Sequence, residues 1–112
     1  MKGKLYTESE IVLCTFFAIY GNDLFEMEAI SKLENRSMGS IAMKIEGIAA
    51  MLEEYEVPLY SGITPSRHCG VTNYGLVKEL AKLDKLSFQA KCQPILSKMN
   101  NTINAEKTIQ TV

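Results

Sequence analysis

Apolar residues recur along most of this chain at helical rather than strand spacing. Thr7-Glu8-Ser9-Glu10 opens the first helix as a capping box. The Thr7 hydroxyl can accept from the third helical amide while Glu10 reaches back to the Thr7 amide, so a helix starts at Glu8. Ile11, Val12, Leu13, Cys14, Phe16, Phe17, Ala18 and Ile19 then leave it apolar on nearly every face, which predicts a central helix surrounded by others. Gly21 is the expected stop.

Asn22 and Asp23 offer turn or cap residues before a short second helix, Phe25 to Glu34, with Phe25, Ala29, Ile30 and Leu33 inward. Asn35 suits the exit because it tolerates positive φ. Ser37 caps a third helix running to about Glu56, in which Ile41, Ile45, Ile48, Leu52 and Tyr55 form one buried stripe. The opposite stripe, Ser37, Ser40, Lys44, Gly47 and Met51, is small or basic over its first four members. It suits either close approach to another surface or ordinary packing against the first helix.

Residues 57 to 73, rich in Gly, Pro, Ser and Thr and without a clean period, predict a long loop or a short hairpin, with room for a wing. A fourth helix follows Thr72 or Asn73 and runs to about Leu86, burying Leu76, Val77, Leu80 and Leu83 and placing Lys78, Lys82 and Lys85 on one outer face. Ser87 would cap a last helix to about Met99, kinked or broken at Pro94. Residues 100 to 112 read as a flexible tail or a partner-binding strand. The expected fold is all-α: a single helical domain over 1–99, with a helix-turn-helix core at about 25–52 and a long loop before the C-terminal helices.

With 112 residues, 46% of them hydrophobic, the chain can build one core but not a multi-domain enzyme. No apolar run is long enough for a membrane span, and no secretory signal is recognisable. Cys14, Cys69 and Cys92 lack the short spacing of a zinc site and read as free thiols, consistent with a cytoplasmic protein. Charge is divided unevenly: residues 1–60 hold five bases against ten acids, and residues 61–112 hold seven against three. The basic half would attract phosphates and the acidic half would repel them.

Candidate catalytic chemistry is thin. His68 is the only histidine, and its neighbour Cys69 would point away from it in an extended loop. No Gly-rich phosphate loop is present. The expectation is a non-enzymatic protein with neither metal nor cofactor.

The junction of helices two and three has the layout of a helix-turn-helix, whose second helix enters the major groove of DNA. There, Asn35-Arg36-Ser37-Met38-Gly39-Ser40-Ile41-Ala42-Met43-Lys44-Ile45 resembles the pattern Gly-Arg-Thr/Ser-x-Gly-Ser-Val-x-Met/Leu-Lys-hydrophobic of a small domain found N-terminally in certain HNH endonucleases and restriction-related proteins. Tyr6 to Leu13, Tyr20-Gly21 and Phe25 extend the likeness over roughly residues 5 to 57. Asn35 stands where the family has a turn glycine, and no HNH nuclease motif follows.

The resemblance implies a DNA-binding module with Arg36, Ser37, Ser40 and Lys44 as contacts. Ser37 and the first-turn amides would meet a phosphate at the positive helix end, and Arg36 and Lys44 would add charge or reach base edges. Lys78, Lys82 and Lys85 would extend the footprint along the backbone. The expected role is a regulator or recognition subunit of phage, mobile-element or restriction type, binding double-stranded DNA as a homodimer. The rival is a small acidic protein-interaction module, such as a phage-encoded inhibitor of a host nuclease or defence complex, working through Glu26, Glu28, Glu53 or Glu54.

Overall fold

The computed structural model describes residues 5–66 and 73–111, with side chains described up to residue 98. Its elements are α1 (Glu8–Tyr20), a single 3-10 turn (Gly21–Asp23), α2 (Met27–Leu33), α3 (Met38–Glu54), α4 (Tyr74–Ala81) and α5 (Lys85–Thr111). The fold is all-α, with no strand among the described residues.

α1 is the hub. Every residue from Glu10 to Ala18 is buried, because α2, α3, α4 and α5 all pack around this helix. Phe16 lies at the centre, in ring contact with Tyr20, Phe25 and Phe88, the last edge-on at 5.3 Å. The buried stripe Ile41, Ile45, Ile48 and Leu52 lies on α3 as its spacing predicts, with Tyr55 half-buried just past the helix end. Val77, Leu80, Phe88 and Cys92 bring α4 and α5 into the same core.

The local punctuation follows the sequence closely. Thr7 closes both halves of its capping box with Glu10. Gly21 ends α1 at φ 68, ψ −143, a region open essentially to glycine. A Cβ on Gly21 would lie 2.4 Å from the Tyr60 ring, which the loop lays across it. Asn35 adopts φ 57, and the Ser37 side chain accepts from the Ser40 amide.

Three expectations are corrected. α4 ends at Ala81 rather than near Leu86, because Asp84 accepts from the Ser87 amide at 2.7 Å and starts α5 at Lys85; Asp84, not Ser87, is the cap. Of the kink or break expected at Pro94, the break is absent, since the last helix is continuous across it. Phe88 and Cys92 before it and Ile95 and Leu96 after it all pack on the core, and this outweighs the lost hydrogen bond. Past residue 99 the backbone is helical to Thr111, so the strand that was one of two expectations there is not formed.

The loop after α3 is tied down over its described part. Tyr60 donates its amide to the Ala18 carbonyl at 2.9 Å and Ser66 donates to the Glu46 carbonyl at 3.0 Å, while Val57, Leu59 and Ile63 pack on the core. Residues 57–66 therefore form a cover over α1 and α3 rather than a wing. Arg67, His68 and Cys69 lie outside the described residues.

Candidate nucleic-acid interface

α2, a four-residue connection and α3 follow one another, and α1 packs against both helices. Arg36 lies in that connection. Its amide donates to the Ser31 carbonyl at 2.9 Å, which closes α2 and turns the side chain back toward the start of α1. There Nε and Nη2 donate to the two carboxylate oxygens of Glu10, Nη2 at 3.0 Å. Nη2 also donates to the Leu5 carbonyl at 2.8 Å, and the guanidinium lies 3.9 Å above the Tyr6 ring.

This arrangement changes the expected contact set. Arg36 is only 9% exposed in its side chain and Glu10 is fully buried, so Arg36 holds the fold together instead of facing outward to DNA. The two-point hydrogen bonding to Glu10 raises the Arg36 pKa above its ordinary value. Glu10 spends its remaining acceptor capacity on the Thr7 amide at 2.8 Å and the Thr7 hydroxyl.

Ser40 and Lys44 also face this corner. The Tyr6 hydroxyl lies 2.6 Å from Ser40 Oγ and donates to the Ser40 carbonyl at 3.0 Å, and Lys44 Nζ lies 5.1 Å from the Tyr6 ring centroid. Burial raises the Tyr6 pKa, with the Ser40 hydrogen bond and the Arg36 charge opposing it. Gly47 and Met51, lower on the same stripe, are buried. The stripe Ser37–Met51 is therefore mainly a packing edge toward Tyr6 and α1, and only its top, Ser37, is open.

The exposed side of α3 lies elsewhere. Met38 (43% exposed), Gly39 and Met43 (60%) are open, with Ala42 and Glu46 half-buried beside them. Residues 47–52, further along the helix, are all buried. α3 thus opens one side of its first two turns to solvent, sinks residues 47–52 into the core and re-emerges at Glu53 and Glu54. Met38 and Met43 carry no local signal of being surface residues, since methionine reads as core material.

The lysines expected on one helical face are distributed over two helices and the turn between them. Lys78 is exposed on α4, Lys82 caps its end and pairs weakly with Glu79 at 3.5 Å, and Lys85 begins α5. Lys85 reaches across to Asp23 at 2.6 Å and lies over the Tyr20 ring.

Among the described residues, no group of three His, Cys, Asp or Glu side chains gathers to hold a metal, and no helix is long and apolar enough to cross a membrane. Burial pushes the Cys14 thiol up to about 12, helped by the Glu10 carboxylate, and the Cys92 thiol likewise to about 12, so neither is primed as a nucleophile. No protein-family model, curated protein or solved structure matches the chain.

Proposed function

We propose that the chain is a non-enzymatic double-stranded-DNA-binding protein of helix-turn-helix type, whose reading surface is the exposed first half of α3. The observation that carries this is the burial along that helix. Ser37, Met38, Gly39 and Met43 are open to solvent, while residues 47–52 are anchored in the core behind them. That is what a helix needs to project rigidly into a major groove. Gly39 and Ala42 permit close approach, Met38 and Met43 offer apolar contact to thymine methyl groups, and Ser37 with the first-turn amides suits a phosphate.

The charge balance sets the expected strength. Arg36 is committed to Glu10, which leaves Lys32 on α2 and Lys44 on α3 as the described bases of residues 5–60. With about two to four phosphate contacts, the slope of log affinity against log salt is roughly −2 to −4, well short of that of a strongly basic binder. Binding as a homodimer to two half-sites supplies the missing affinity. Regulation or target recognition in a phage, mobile-element or restriction system is the role that fits a module of this size.

A second reading has its own support. Met38 and Met43 make an exposed apolar surface on a half of the chain with an excess of acids, and Glu26, Glu28, Glu53 and Glu54 are all exposed. That combination suits a protein partner with a basic surface, such as the nucleic-acid site of a host nuclease or defence complex.

Fluorescence anisotropy of a labelled random duplex at two salt concentrations separates the two. Under the DNA reading the wild type binds in a salt-dependent manner, and Met43→Glu lowers affinity at least tenfold with unchanged melting. Absence of binding at low salt removes this reading and leaves the protein partner, for which charge reversal at Glu53 and Glu54 is the next step.

A further inference from the structure

The Glu10–Arg36 ion pair supports the ring of Tyr6, and two contacts pin that ring. The Arg36 guanidinium lies 3.9 Å from the ring centroid, while the Tyr6 hydroxyl donates to the Ser40 carbonyl at 3.0 Å and lies 2.6 Å from Ser40 Oγ. Arg36 also holds the neighbouring Leu5 carbonyl at 2.8 Å, so the backbone that carries the ring is fixed as well. Lys44 Nζ lies over the same ring, 5.1 Å from its centroid. Side chains on a helix lean toward its N-terminus, so Lys44, one turn after Ser40, extends over the first turns of α3. The residue is half-buried, which leaves part of it open to solvent. A lysine on a helix surface ordinarily samples many rotamers, whereas this one has an aromatic platform along its path.

We propose that Tyr6 is a positioning residue of the DNA interface: its pinned ring holds the Lys44 ammonium beside the start of α3, where that ammonium meets a backbone phosphate. This inference rests on the DNA reading and deepens it. Arg36 is committed to Glu10, and Lys44 is the only base on α3. An interface with so few bases gains from having each in place before the duplex arrives, because a long side chain immobilised only on binding costs affinity. The negative face of the ring attracts an ammonium without cancelling its charge, as a carboxylate in the same place would.

The test is a double-mutant cycle on duplex binding by the full chain, read by fluorescence anisotropy at several salt concentrations, with melting temperatures measured alongside. Lys44→Ala is expected to weaken binding and to make the slope of log affinity against log salt shallower by about 0.9, the share of one phosphate contact. Tyr6→Leu is expected to weaken binding about two- to tenfold, the cost of fixing one long side chain on binding, and to have no effect once Lys44 is replaced by Ala. Tyr6→Phe keeps the ring and loses only the Ser40 hydrogen bonds, so it is expected to melt lower than the wild type yet bind within about twofold of it. Equal losses from Tyr6→Leu with and without Lys44 overturn the inference, because they report damage to the fold. A loss in Tyr6→Phe as large as in Tyr6→Leu overturns it too, since the hydroxyl and not the ring would then matter. So does a Lys44→Ala variant that binds like the wild type. If Tyr6→Leu does not fold, the ε-methylene protons of Lys44 in the wild type decide: ring-current shielding by Tyr6 supports the inference, and an unshifted resonance overturns it. A wild type that does not bind removes the DNA reading itself and this inference with it.

Discussion

Glu10 and Arg36, 26 residues apart, meet in a side-on, two-point ion pair that joins the first turn of α1 to the connection before α3. Glu10 also closes the capping box with Thr7, so one fully buried carboxylate serves four donors. Removing Arg36 would leave that charge buried without its counter-ion. Arg36→Ala is expected to cost about 3–5 kcal/mol of stability, seen as a lower urea midpoint. Replacing both partners by apolar residues, Glu10→Leu/Arg36→Met, is expected to cost much less. A surface role for Arg36 predicts the reverse: weaker ligand binding with unchanged stability.

The two buried thiols make stability fall at alkaline pH. Cys14 and Cys92 have an ordinary value of 9.0 and are raised to about 12 in the fold. Above pH 9 the unfolded chain releases these protons and the native state retains them. Stability is therefore fully present below pH 9 and falls as pH rises toward 12, by up to about 1.4 kcal/mol per pH unit per thiol. Urea unfolding at pH 8, 9 and 10 should show this decline, and Cys14→Ala should make it less steep by one thiol's share. Identical pH profiles for the two proteins would contradict the assignment.

Gly21 is constrained twice, by its backbone angles and by the Tyr60 ring. Gly21→Ala is expected to cost roughly 1–3 kcal/mol from backbone strain alone, with a further loss from displacing Tyr60. Adding Tyr60→Ala to that variant should relieve the collision but not the strain. A thermal melt that finds Gly21→Ala as stable as the wild type would mean that the end of α1 is not built this way.

Asn35 occupies the left-handed region at φ 57, where a side chain costs roughly 1 kcal/mol. Asn35→Gly should leave the melting temperature equal or slightly higher, despite glycine's greater freedom in the unfolded chain. A loss above about 1 kcal/mol would show that the Asn35 side chain has a separate role.

The parts of this fold legible in the sequence were those encoded by neighbours. Thr7, Ser37, Gly21 and Asn35 announce helix ends through short-range hydrogen bonds and backbone preference. The spacing of Ile41, Ile45, Ile48 and Leu52 announces the buried side of α3. The candidate site was legible in place but not in orientation. Which side of α3 faces solvent depends on Tyr6 and the loop at 57–66, whose contacts with α3 span long sequence distances and leave no periodic trace. For the same reason Arg36 looked like a surface base. Its partner Glu10 was already explained by the capping box, and nothing nearby marked it for a second task. Lys85 was placed on the wrong helix because Asp84 competes with Ser87 as the cap, and only the fold decides between them.

The most direct test of the central claim is a nuclear magnetic resonance titration of the isotope-labelled full chain with a short random duplex, following every backbone amide. Binding through the exposed half of α3 predicts that the largest shifts fall on Ser37 to Lys44, with the amides of α4 left in place. Shifts confined to α4 and α5, or no shifts at low salt, would contradict it.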